Sequence, residues 1–336
     1  MKVRPSTRKR ADAACRWVVA LAALLCLVSG AVRPVYAQAY PAKPIRVIVP
    51  HTASGAPDIL ARFVGSKLGE VVGQQIIVDN QPGAAGIVGT EKAARATPDG
   101  YTLVIGSSAI VINPSLYRKV GYDVLRDFQA ITALASTPLV LVVHPSLPVR
   151  STGDLVALAR AKSGSINYAS GGNGSAAHMA AELFKTMAAV NLVHVPYKGT
   201  APALTDLVGG HVSVGFYTVS AIGEHVKNGR LKALAVTALQ RSPAVPDLPT
   251  VDESGLPGYE ASTWIGVLAP SGTPRDIIAR LHAEIVKILA MPDVKQRFST
   301  QGFDIIASTP EQFAIQIKSD LAKWARVIRA SGVTVD

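Results

Sequence analysis

The chain is 336 residues long, 49% apolar and 17% charged, with a formal net charge of +11. Six of those charges belong to the first 37 residues, where Lys2, Arg4, Arg8, Lys9, Arg10, Arg16 and Arg33 face Asp12 alone; the other 299 residues (336 less 37) carry +5 (11 less 6). No dense lysine and arginine stripe with interleaved aromatics runs through them, which leaves a nucleic-acid partner without support, while a mild positive field suits capture of small anions.

The N-terminal segment reads first. A basic stretch ("MKVRPSTRKRADAACR") is followed by an apolar one ("WVVALAALLCLVSGAV") and then by "RPVYAQA". This is the order of a secretory signal, and Val35-Tyr36-Ala37 predicts a cut after Ala37 and export to the periplasm. The apolar run is short for a membrane span, so an uncleaved anchor is the lesser alternative. Both cysteines, Cys15 and Cys26, lie inside this segment. The exported chain therefore has no disulfide and must be held by its core, and 299 residues suffice for two cores.

From residue 45 onward, short apolar runs alternate with helix-like stretches. The runs predict strands at 45–50, 75–80, 101–107, 139–145, 166–170, 192–197, 212–218, 231–237 and 263–270. Helices are predicted near 57–72, 84–96, 151–162, 175–189, 200–208, 219–228, 274–290, 292–300 and 310–331. This alternation implies βαβ units, mainly parallel sheets and an α/β fold. Strands apolar along their whole length are those that helices cover on both faces. The "YDVLRDF" stretch reads as a connection, with Asp123 and Asp127 as loop and cap residues. The Pro-rich segment 241–259 reads as an ordered return towards the first domain.

The loops at the carboxyl ends of these strands are where open α/β sheets bind ligands. They contain His51 to Asp58, the pair Ser107 and Ser108, Ser170 to Ser175, Tyr197, and the pair Tyr217 and Thr218. In "INYASGGNGSAAHMAAELF", Gly171, Gly172 and Gly174 permit close backbone approach and Ser175 is a ready N-cap. The N–H groups of such a helix start favour a carboxylate. Taken alone the loop is equally an ordinary strand-to-helix turn. "VIVPHTASGAPDILARFV" repeats the design, with Pro57 at the favoured first helical position and Asp58 complementing the dipole.

Nucleotide cofactors find no footing. Gly174-Ser175-Ala176 lacks the lysine of a phosphate-binding loop, and no acidic ribose ligand follows at the next strand. The histidines at 51, 144, 178, 194, 211, 225 and 282 form no metal spacing, and no G-x-S-x-G elbow is present. His178, in the first turn of its helix, has no evident partner as a general base. The expectation is a binding protein with no metal and no cofactor, and not an enzyme.

In order along the chain, "YPAKPIRVIVP", "DNQPGAAGIVGTEKAARATPDGYTLVIG", "NPSLY", "INYASGGNGSAAHMAAELFK", "VHVPYKGTAPALTDLVGGHV" and "LKALAVTALQRSPAVPDLPTVDESGLPGYEASTWIGVLAPSGTP" resemble the Bug family of periplasmic solute-binding proteins. These are the receptors of tripartite tricarboxylate transporters. The resemblance spans essentially the whole exported chain. It implies a two-domain periplasmic-binding-protein (Venus-flytrap) fold with two crossing segments. The expected domains are 38–139 plus 263–336, and 140–262. It also implies a small carboxylate ligand (a dicarboxylate, a tricarboxylate or an aromatic acid), two membrane transporter subunits as partners, and a monomer. A membrane sensor kinase is the alternative partner, and an α/β enzyme the more distant alternative.

Carried over from the family, the ligand-binding residues are His51, Thr52, Ala53, Ser54, Gly55 and Asp58 in the first loop, and Ser170, Gly172, Asn173, Gly174 and Ser175 in the glycine loop. Ser107, Ser108, Tyr197, Tyr217 and Thr218 join them from the other strand ends. Two departures matter. The family's usual Pro-Phe-x-x-Gly-Gly is here Pro50-His51 with Ser54 before Gly55, and the usual Phe-Asp-Asn is here Phe216-Tyr217-Thr218. The lost acid removes a counter-charge for an ammonium group, which argues against an amino-acid ligand. Tyr217 has the alternative of packing beneath its loop as core.

Overall fold

The computed structural model describes residues 40–53 and 55–335. The secretory segment with its cut after Ala37, both cysteines and Ser54 lie outside the described residues.

Two sheets organise the chain from Lys43 onward. The first contains β1 (Ile45–Val49), β2 (Ile76–Asn80), β3 (Thr102–Ser107), β4 (Phe128–Thr137), β10 (Thr263–Pro270) and β11 (Asp304–Ile305), in the order β11-β4-β10-β3-β1-β2. The second contains β5 (Leu139–Val143), β6 (Asn167–Ser170), β7 (Val193–Pro196), β8 (Val214–Thr218) and β9 (Lys232–Val236), in the order β7-β6-β8-β5-β9. β5, "LVLVV", is buried at all five positions, as its unbroken apolar run requires.

Helices fill the connections: α1 (Ala56–Val72), α2 (Ile87–Ala94), α3 (Ala109–Leu116), α4 (Val124–Asp127), α5 (Thr152–Ala161), α6 (Ala176–Ala188), α7 (Thr200–Val208), α8 (Val219–Lys227), α9 (Arg275–Ala290), α10 (Pro292–Thr300) and α11 (Pro310–Ser331). Their ends follow local chemistry. Ser175 accepts the His178 N–H at the start of α6. Thr309 and Gln312 form a reciprocal capping box at the start of α11, and Gly332, at φ +67°, ends it.

Parallel pairing is less general than the alternation implied. β1 is parallel to β2 and β3, and β6 to β7 and β8. β10 is antiparallel to β3 and β4, and β5 to β8 and β9. β5 and β10 are the strands that enter each sheet from the other one. Neither arrives through the right-handed helical crossover that makes a neighbour parallel.

Four elements escaped the sequence reading: the short α4 and β11, and the longer β4 and α3. β4, "FQAITALAST", spaces its β-formers Phe128, Ile131, Thr132 and Thr137 among Gln, Ala and Ser, so that no continuous apolar run marks it as a strand. Its pairing with β10 from Phe128 to Thr137 holds it. α3 contains Pro114, whose missing N–H frees the Ile110 carbonyl. The buried Tyr122 hydroxyl donates to that carbonyl at 3.0 Å, which repairs the defect.

The chain crosses between the sheets twice, at Thr137–Leu139 and again between Val236 and Thr263. The two crossings are tied side by side. Leu139 N–H donates to Thr237 Oγ1 and Thr237 N–H returns to Leu139 O, both at 2.8 Å, and Ala261 N–H donates to Thr237 O at 3.0 Å. These bonds fix where the two strand-end loop sets face each other.

Candidate functional site

A cavity of about 340 Å³ lies between the end of β3 in the first sheet and the end of β6 in the second, closed at one side by residues 261–263. Among the described residues that line it there is no Asp, Glu, Lys, Arg or His. The polar groups among its lining residues are hydroxyls, the amides of Asn113 and Asn173, the Trp324 indole and backbone. Ile112, Leu116 and Met179 supply an apolar wall.

Ser107, Ser108 and Ala109 come from the first sheet, where β3 runs into α3. Ser108 N–H is held by Trp264 O at 3.1 Å, and Ala109 N–H reaches Ser107 Oγ only at 3.4 Å. His51 Nε2 lies 3.1 Å from Ser107 Oγ, so the first loop meets the cavity through one hydrogen bond. Burial lowers the His51 pKa and favours its neutral ring.

Asn173, Gly174, Ser175 and Ala176 come from the second sheet, where β6 runs into α6. Several N–H groups of this loop are already used. Gly172 donates to Ser170 Oγ at 3.2 Å, Gly174 to His178 Nδ1 at 3.0 Å, and Ser175 to Gly172 O at 3.2 Å. The N–H groups of Asn173 and Ala176 have no acceptor among the described residues. They stand at the N-terminus of a 13-residue helix, where the dipole favours an anion.

Gly174 has φ +75°, and a Cβ there would come within 2.5 Å of Leu116 Cδ2. The glycine is therefore where the loop of the second sheet packs against α3 of the first. Ser262, on the returning crossing, also lines the cavity, and its buried Oγ has no partner among the described residues.

Of the residues expected from sequence, Ser107, Ser108, Asn173, Gly174 and Ser175 line this cavity, and His51 adjoins it. The others are elsewhere. Thr52 and Ala53 are exposed, and Gly55 closes a turn onto Thr52. Asp58 is buried, with its carboxylate taken by Arg62 and by Asn80 Nδ2 at 2.9 Å. Ser170 is buried at the end of β6, where its Oγ accepts the Gly172 N–H of the loop and meets His194 Nε2, and neither Ser170 nor Gly172 lines the cavity. Tyr197 donates its hydroxyl to Asp206 at 2.6 Å. Tyr217 is 1% exposed, with its ring against Gly215 and its hydroxyl raised in pKa by burial. Thr218 stands at the N-cap position of α8, where its hydroxyl pairs with Ser220 Oγ at 3.2 Å instead of capping a backbone N–H. The sequence reading missed Asn113, Ser262 and Trp324. "GSSAIVINPS", taken as loop, hid Asn113, while only the run of small polar residues in "EASTWIG" pointed to Ser262.

The sequence model for "Tripartite tricarboxylate transporter family receptor" matches residues 60–333. Protein BugT of Bordetella pertussis is 37% identical over 319 residues, covering 94% of this chain and 97% of that one. An R. palustris protein solved with adipate superposes with a TM-score of 0.71 at 34% identity, over 88% of this chain and 99% of its own. MatC of Rhodopseudomonas palustris, solved with bound malate, gives a TM-score of 0.68 at 29% identity, over 86% and 100%. Two mixed sheets joined by paired crossings, a neutral cavity at their facing strand ends and a match over most of the chain agree: this protein belongs to the tripartite tricarboxylate transporter receptor family, the solute-binding receptors of the Bug type.

Proposed function

We propose that this receptor captures a small dicarboxylate in the cavity and delivers it, unreacted, to two membrane transporter subunits. The observation that carries the reading is the pair of helix starts, α3 and α6, converging on one cavity without a charged side chain. One carboxylate sits on the Asn173 and Ala176 N–H groups, the other against Ser107, Ser108 and Ala109. The apolar wall of Ile112, Leu116 and Met179 accommodates the carbons between them. A cavity of about 340 Å³ falls in the range of small-molecule sites. The adipate and malate of the two related structures are both dicarboxylates. An α-amino acid finds no acid among the lining residues to meet its ammonium group.

The receptor works in the periplasm as a monomer after cleavage at Ala37, with lobes of 38–139 plus 263–336 and 140–262. Titration calorimetry with succinate, adipate, malate, citrate, benzoate and glutamate tests the ligand class. The dicarboxylates bind at one site per chain, glutamate at least tenfold more weakly, and the ligand is recovered unchanged. Tightest binding of glutamate, or chemical turnover of any of these acids, overturns the reading.

A further inference from the structure

Directly beneath the glycine loop lie two stacked imidazoles. The rings of His178, on α6, and His194, on β7, have centroids 4.0 Å apart and planes within 7°. The Tyr168 ring stacks on His194 at 4.8 Å. His178 is 1% exposed. Its Nδ1 accepts the Gly174 N–H, which requires that nitrogen to be unprotonated; the ring proton therefore sits on Nε2, 3.9 Å from Glu182 Oε1. Glu182 Oε1 is already engaged, accepting Tyr168 OH at 2.6 Å and Lys185 Nζ at 2.7 Å. His194 Nε2 lies 2.6 Å from Ser170 Oγ, the atom that accepts the Gly172 N–H.

We propose that the His178–His194 stack is the positioning device of the ligand loop. It withdraws the Gly174 N–H and, through Ser170, the Gly172 N–H from the cavity, leaving Asn173 and Ala176 to meet the carboxylate. The proposal rests on the reading that this loop grips a carboxylate. A flexible loop with every N–H available would hold an anion in many ways, and fixing two of them selects one geometry.

The device requires His178 neutral, with Nδ1 free to accept, and forbids both rings being charged together. The groups acting on His178 are His194, Glu182 and Lys185. Burial, then His194, holds its pKa down at about 4, against a pull upward from Glu182. Burial lowers His194 as well. A protonated Nδ1 cannot accept the Gly174 N–H, and two stacked cations repel. The unfolded chain takes up its proton near the ordinary 6.5, the folded chain only near 4, so the arrangement is fully stable above 6.5 and loses stability as pH falls between those values.

His178→Asn keeps an acceptor at the position of Nδ1, whereas His178→Leu removes it. In ligand-free protein, amide hydrogen exchange at Gly174 is slow in the wild type and in His178→Asn, and at least tenfold faster in His178→Leu. Adipate, used as the probe, binds His178→Leu at least tenfold more weakly, and His178→Asn recovers all but about threefold of that loss. Between about pH 5 and 3.5, the range in which folded His178 takes up its proton, the wild type loses adipate affinity more steeply than His178→Asn, the protonation of adipate being common to both. Equal Gly174 exchange in wild type and His178→Leu, or equal affinities and pH profiles in all three, overturns the proposal. Should even the wild type bind no adipate or other carboxylate, the dicarboxylate reading falls, and the exchange order alone decides the positioning role.

Discussion

Gly174 carries two constraints at once. Its φ of +75° is strained for any residue with a Cβ, and its Cα lies against Leu116 of the facing lobe. It lines the cavity, its N–H is taken by His178, and its missing side chain lets the glycine loop approach α3. Gly174→Val is expected to weaken adipate binding by at least tenfold, whereas Lys198→Ala, at an exposed position of the neighbouring loop, changes it less than threefold at physiological salt. Calorimetry on both folded variants decides this, and a larger loss for Lys198→Ala would shift recognition to side-chain charge. At this scale the sequence was legible where backbone does the work. The small residues Ser107, Ser108, Asn173 and Ser175 stood out as strand-end turns. A side chain that can turn either way left two readings open: Asp58, in the first turn of α1, is taken up by Arg62 and Asn80, and Tyr217, within β8, packs in the core.

Among the elements, α3 shows how a local rule is overridden from a distance. Asn113-Pro114 reads as the end of a helix, and the segment was legible only as a loop. Tyr122, eight residues beyond Pro114 and outside the helix, supplies the donor that the proline lacks. Asn113 is held in turn by donating to Ala85 O at 3.1 Å. Tyr122→Phe leaves the buried Ile110 carbonyl without a partner and is expected to cost about 1–3 kcal/mol, read from chemical unfolding. Because α3 lines the cavity with Ala109, Ile112, Asn113 and Leu116, adipate affinity should fall with it; an unchanged midpoint would mean that the carbonyl finds another donor. The helices with clear caps, α6 and α11, needed no such help and were legible to within a residue or two.

The whole molecule is legible as two α/β units from its alternation of strands and helices, but their coupling is not. β4 was invisible because Ala, Gln and Ser interrupt its β-formers, and with it went the antiparallel seam of β4, β10 and β3 that joins the crossings to the first sheet. That seam is anchored where Trp264 Nε1 donates to Asp320 at 2.8 Å, beside Lys323, which bonds both Asp320 and the Glu260 carbonyl on the returning crossing. Such long-range contacts leave no periodic trace in a sequence. They nonetheless set the mutual placement of the two helix starts to which the proposed capture is assigned. The most direct test of that proposal is a crystal structure of the protein with adipate. One carboxylate is expected within about 3 Å of the Asn173 and Ala176 nitrogens and the other at Ser107, Ser108 or Ala109. Adipate held by a lysine or arginine side chain, or lying outside the space between β3 and β6, would contradict it.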